Sequence, residues 1–192
     1  LMGSKVVWTM HNLQSHEQYH PKAERCFWNR LYRRLSGWIA LSEYSAGLME
    51  GRDELGNLPH AVIHLGVYPR LTNKKETVTK DDPEKTSFLF FGSLRSYKAV
   101  PALIEAFSET EDRELSLTIA GECRDEDQEE FLDQNVAADS RIKTHLRFLP
   151  NEDLENLIEQ SDGIIIPYAG SLNSGVVFLA ITYGKPVLIP KT

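Results

Sequence analysis

Ser87-Phe-Leu-Phe-Phe-Gly-Ser-Leu-Arg-Ser-Tyr-Lys98 holds the key to the architecture. Phe88–Phe91 is an unbroken apolar run, the pattern of a strand buried on both faces in a parallel sheet. Gly92 stops it. Beyond the basic turn, Val100, Leu103, Ile104 and Phe107 recur at i, i+3, i+4 and i+7, which predicts a helix over 100–108. The alternation continues with a strand at 115–120, an acidic helix at 126–136, a strand at 144–148 and a helix at 151–160. Then come a strand at 163–167, an apolar helix at 174–183 ended by Gly184, and a strand at 186–190. Strands alternating with helices through short links predict a parallel α/β sheet covered on both faces.

A second α/β block lies upstream. Its expected elements are a strand at 5–10, a helix at 23–35, a strand at 38–42, a helix at 43–50 and a strand at 61–65. Ser42 is a suitable N-cap for the helix at 43–50, and Gly51 can end it. Residues 71–85 are polar, charged and unpatterned, and read as a linker. The expected domains are therefore 1–70, the linker 71–85, and 86–192. The chain opens almost directly on a strand and stops directly after one, so it reads as an internal fragment with an incomplete first domain.

Composition excludes several classes. The 192 residues are 41% hydrophobic and 26% charged, ordinary for a globular protein. No apolar stretch approaches the ~20 residues of a spanning helix. Asp and Glu outnumber Lys and Arg 28 to 21, a net charge of −7, which argues against a nucleic-acid partner. Cys26 and Cys123 have no paired spacing and read as reduced thiols of a cytoplasmic protein, and no signal peptide opens the chain.

Two segments point to an anion. Gly92-Ser-Leu-Arg-Ser-Tyr-Lys98 lies between a strand end and a helix start, where open parallel sheets bind ligands. Gly92 permits close backbone approach, and Arg95 and Lys98 supply two cations, a set suited to a diphosphate. Ser171-Leu-Asn-Ser-Gly175 opens the apolar helix with small residues, so that the amides of Asn173, Ser174 and Gly175 face outward with the helix dipole behind them. The plainer alternatives are a strand-to-helix turn with solvated cations and a simple N-cap.

His16-Glu-Gln-Tyr-His20 matches the letters of a zinc-hydrolase motif. Pro21, however, pushes His20 out of helical geometry, no apolar helical stripe surrounds the motif, and no metal is expected. His11, at a strand end, and His16 and Glu17 in the following loop are candidates to orient a substrate or move a proton. Between Lys22 and Trp38, cations are interleaved with Phe27, Trp28, Leu31 and Leu35. That pattern suits either a helix lying on an anionic membrane surface or a core-facing helix with a solvated basic side. The acidic cluster 125–130 reads as a solvated helix face.

The order of these pieces resembles the GT-B glycosyltransferases. The stretches that carry the likeness are Val6–Asn12, Ile39–Ser42, Val62–Val67, Phe90–Lys98, Leu117–Gly121 and Ile164–Pro190. The resemblance implies two Rossmann-like domains, an acceptor-side one that ends near residue 70 and a donor-side one from 86. Gly92-x-x-Arg95-x-Tyr97-Lys98 and Leu172-Asn-Ser-Gly175 look most like a bacterial subgroup of exopolysaccharide and glycolipid synthesis that includes β-mannosyltransferases. It implies sugar transfer from a nucleotide-diphosphate sugar, a GDP- or UDP-sugar acting as substrate with no cofactor, to a saccharide or lipid-linked acceptor. The location implied is the cytoplasm, or the inner face of the membrane. Lys98 and Arg95, with Gly92 and the amides of Asn173, Ser174 and Gly175, would hold the diphosphate. His11 and Ser171 would stand by the donor sugar, and His11, His16 or Glu17 would serve as base. The family's two glutamates, eight residues apart in many members, fall at Ser171 and Leu179, and Ala99 stands where glycine often follows the lysine. A non-catalytic nucleotide- or sugar-phosphate-binding module is the alternative.

Overall fold

Thr86–Phe91 forms strand β4 of the computed structural model, with Leu89, Phe90 and Phe91 buried, as an unbroken apolar run requires. The structure describes residues 3–12, 20–72, 78–80, 82–168 and 174–191. The chain divides into two compact units, Leu1–Gly66 with Ser171–Ser174, and Val67–Gly170 with Gly175–Thr192.

In the first unit, strands β1 (Val7–Met10), β2 (Gly37–Ala40) and β3 (His60–Val62) form a parallel sheet in that order. Helix α1 (Pro21–Tyr32) joins β1 to β2, and α2 (Glu43–Glu50) joins β2 to β3. The Ser42 hydroxyl caps α2 by accepting from the Ser45 amide at 3.1 Å. Trp38, 1% exposed, centres the core, and its indole donates to the Leu55 carbonyl at 3.0 Å. The apolar stripe of α1 turns to this core: Tyr32 is buried, and Trp28 and Leu31 pack against the cluster. Phe27, 60% exposed, is the exception.

In the second unit, β5 (Leu115–Ala120), β6 (Ile142–His145), β7 (Gly163–Ile165) and β8 (Val187–Leu188) join β4 in one parallel sheet of order β6-β5-β4-β7-β8. Helices α3 (Val100–Ser108), α4 (Glu126–Ala138), α5 (Asn151–Gln160) and α6 (Gly175–Thr182) connect them. The chain runs outward from β4 to β6, then returns to lay β7 on the other side of β4. That reversal opens a crevice at the carboxyl ends of β4 and β7, the usual ligand position in such sheets. The fold is α/β, with one parallel sheet in each unit.

β6 begins earlier than expected, because Ile142 pairs with Leu117 and is buried. It stops at His145, which leaves Phe148 77% exposed. Within the stretch read as a linker, the Leu71 amide donates to the Tyr183 hydroxyl at 2.7 Å and Thr72 donates to Glu155. Tyr183 in turn donates to Glu155 at 2.7 Å, while Arg70 pairs with Glu159 at 2.7 Å and lies 4.8 Å over the Tyr183 ring. No helix among the described residues is long and apolar enough to cross a membrane.

Between β4 and α3, Ala99 adopts φ 51° and ψ 36°, a left-handed conformation that costs a residue with a Cβ about 1–2 kcal/mol. Ala99→Gly removes that cost against about 0.4–1 kcal/mol of added freedom in the unfolded chain. Stability in urea should therefore rise by about 0.5–1 kcal/mol; a lower midpoint would contradict the conformation.

Candidate functional site

The turn after β4 is built around two glycines. Gly92 has φ +118° and Gly121, after β5, has φ +147°, both in the region that favours glycine. A Cβ on Gly121 would lie 2.1 Å from the Gly92 carbonyl oxygen, so the two strand ends meet backbone to backbone. The Leu94 amide then bonds the Glu122 carbonyl at 2.8 Å, and a single 3₁₀ turn, Ser96–Lys98, doubles the chain back.

That turn lays Lys98 across the strand end. Its ammonium sits 2.8 Å from where a Cβ on Gly92 would be, so a side chain there would displace it. Lys98 is only 7% exposed. Its Nζ lies 5.3 Å from the centre of the Tyr168 ring, just beyond β7, and 5.9 Å from that of Phe90 in β4. Tyr168 stands edge-on to Phe90 and Tyr97, with centroids 6.4 and 6.0 Å away. Such ring faces attract a cation but do not neutralise it. Among the described residues no carboxylate pairs with Lys98. Burial, with the nearby Arg95 cation, lowers its pKa from 10.5 to about 8, and burial pushes the Tyr168 hydroxyl up.

Gly175 opens α6, and a Cβ there would come 3.2 Å from the Tyr68 hydroxyl. The Ser174 hydroxyl before it is buried with no hydrogen-bond partner among the described residues. Beside Gly175 lies a cavity of about 510 Å³, lined by Tyr68, Arg70, Leu71, Phe91, Val176 and Leu179 among others. Gly92 and Lys98 therefore meet at one strand end with Arg95 close by, and Gly175 stands at the head of α6. His16, Glu17, Ser171 and Asn173 lie outside the described residues. His11 is exposed at the end of β1 in the first unit. His20 precedes α1 with φ −136° and ψ 70°, so it does not stand on a helix face as the zinc pattern needs. No group of three or more His, Cys, Asp or Glu residues able to hold a metal occurs among the described residues. The residues that sequence reasoning passed over are Tyr168 and Phe90, the aromatic bed of Lys98. Their only signal is that aromatic residues lie in or just beyond two neighbouring strands.

The second unit thus sets a buried cation where its parallel sheet reverses direction. The chain belongs to the family Glycosyl transferases group 1, whose sequence model matches residues 85–192, more than half of it. It is similar to the GDP-mannose:glycolipid 4-beta-D-mannosyltransferase of Xanthomonas campestris pv. campestris, with 26% identity across 99% of this chain and 51% of that protein. The chain thus spans about half the length of the curated relatives it matches. Its fold is that of Anabaena Alr3699/HepE, solved in complex with UDP-glucose (TM-score 0.70, 21% identity, 96% of this chain and 53% of that one). WaaG, a glycosyltransferase involved in lipopolysaccharide biosynthesis, superposes with a TM-score of 0.72 at 15% identity over 95% of this chain and 55% of its own.

Lys98 sets a stability cost. Its folded pKa of about 8 lies below its ordinary 10.5, so between those values the unfolded chain binds more protons and stability rises with pH. Lys98→Met should stabilise the ligand-free protein by about 1–3 kcal/mol at pH 7 and flatten that rise. Urea titrations across the pH window measure both, and a destabilised variant would mean that the ammonium is already satisfied.

Proposed function

We propose that this chain carries the donor-binding part of a glycosyltransferase that moves a sugar from a nucleoside-diphosphate sugar to a saccharide or lipid-linked acceptor. One observation carries the reading: a buried ammonium at the sheet's switch point with no carboxylate partner among the described residues. As the bond from the sugar's anomeric carbon to the phosphate oxygen breaks, its electron pair goes to the diphosphate. Lys98, with Arg95 beside it and the amides of Ser174 and Gly175 at the head of α6, would meet that growing charge. Gly92 lets the phosphate approach the backbone. Asn173 belongs to the same proposed grip.

The GDP-mannose-dependent activity named for the Xanthomonas relatives and the UDP-glucose complex of the Anabaena protein support a GDP- or UDP-sugar as donor. The former also supports a glycolipid acceptor and a place in bacterial exopolysaccharide or glycolipid synthesis. Contact with an anionic membrane surface through the exposed cations of α1 belongs to the same proposal, as does a cytoplasmic or membrane-peripheral location. The roles of His11 and Ser171 at the donor sugar, and of His11, His16 or Glu17 as the base for the acceptor hydroxyl, are proposed on the family resemblance.

Calorimetric titration with GDP and UDP tests the site. Lys98→Ala should weaken diphosphate binding at least about tenfold, the scale of a lost charge-assisted contact. In the wild type, affinity should fall as pH rises through about 8, where the free ammonium loses its proton. Undiminished binding by the variant would overturn the assignment.

A further inference from the structure

Tyr168 touches every element that surrounds Lys98. β7 runs beside β4 with Ile164 next to Leu89, and the Ile166 amide, bonded to the Leu188 carbonyl at 2.9 Å, keeps the chain in the sheet up to Pro167. Tyr168 follows, 9% exposed. Two rings meet it at steep angles: Phe90 of β4 at 6.4 Å and 76°, and Tyr97 of the 3₁₀ turn at 6.0 Å and 70°. Such edge-on contacts fix the plane of a ring. The Lys98 ammonium lies over the ring of Tyr168, 5.3 Å from its centroid.

A lysine carries its charge on a flexible four-carbon stem, and holding that stem still costs rotamer entropy. A fixed ring face answers this in two ways. Its negative quadrupole attracts the ammonium, most strongly where water is excluded, and its place in the packing decides where the ammonium rests. Neither effect needs the phenolic oxygen, which stays protonated because burial pushes its pKa up.

We infer that Tyr168 is a positioning residue: its ring face, not its hydroxyl, holds the Lys98 ammonium at the end of β4, in the place from which it meets a diphosphate. The inference rests on the diphosphate site proposed above and assigns what keeps that site in register.

The test compares Tyr168→Phe with a variant carrying pentafluorophenylalanine at 168, which keeps nearly the same shape but strips the negative charge from the ring face. Calorimetry with GDP and UDP gives the affinity, and NMR of the lysine side chain in the ligand-free protein follows the titration of Lys98. Tyr168→Phe should bind within about twofold of the wild type and titrate, like it, near 8. The fluorinated variant should bind about three- to thirtyfold more weakly, the range of a lost cation–ring contact. Its Lys98 should titrate at lower pH, since the facing cation, Arg95, and the Tyr97 hydroxyl are unchanged and only the ring's attraction for the ammonium is gone. Equal affinity and equal titration in the two variants would overturn the inference, because a ring that merely fills space is blind to its fluorines. So would a Tyr168→Phe variant as weak as the fluorinated one, which would hand the role to the hydroxyl. If the wild type binds neither nucleotide, the diphosphate reading itself falls, and an unshifted titration would show separately that the ring does not hold the ammonium.

Discussion

A buried positive charge that no negative one answers is expensive to keep, and among the described residues the crest of the second unit's sheet is shaped around one. Lys98 reaches its place only because Gly92 leaves the space its ammonium fills. Gly92 in turn sits where it does because Gly121 lets the ends of β4 and β5 touch. Ala99 accepts a strained backbone so that the chain can turn from Lys98 straight into α3. Phe90 and Tyr168 lend ring faces that make the burial tolerable without cancelling the charge. A fold optimised for stability alone would put a methionine there.

The strap from Tyr68 to Thr72 shows the opposite economy. Glu155 is 3% exposed; burial pushes its pKa up, yet the hydroxyls of Thr72 and Tyr183 with the Arg70 cation hold it below the ordinary range. Every charge there has a partner, so the segment is fixed against α5 and α6. The cavity wall that includes Tyr68, Arg70 and Leu71 is thus supported by a satisfied network, while Lys98 at the neighbouring strand end has no carboxylate partner among the described residues. Rigid support beside an unmet charge is the arrangement expected of a preorganised binding site.

Much of this was legible in the residues. Helices 43–50, 100–108 and 151–160 and the strand 115–120 fall at the limits that periodicity and capping assign, because their apolar spacing and termini agree. β6 was misplaced because Leu146 and Phe148 extend an apolar pattern that the backbone does not follow. The 3₁₀ turn Ser96–Lys98 is too short to carry a period. Arg95 and Lys98 could be named as cations near a helix start, but the near-complete burial of one could not. That depends on Tyr168, seventy residues away along the chain, and a single sequence does not say which distant side chain closes over which. The strap was hidden for the same reason, since its polar residues look like solvent-facing ones until Glu155 and Tyr183 are placed.

Finally, the strand order has a consequence for how the chain reaches its fold. β4 sits at the centre of its sheet, yet one of its neighbours, β7, is made only after β5, α4, β6 and α5. Pairings this distant are slow to form. Until β7 arrives, Phe88-Leu-Phe-Phe91 presents one open edge, an apolar, aromatic segment of the kind that invites pairing with another chain. The residues around it are charged: Glu84 and Lys85 before, Arg95 and Lys98 after. Such flanks act as gatekeepers against aggregation. The cations proposed to grip a diphosphate in the finished protein thus also flank this apolar strand along the chain.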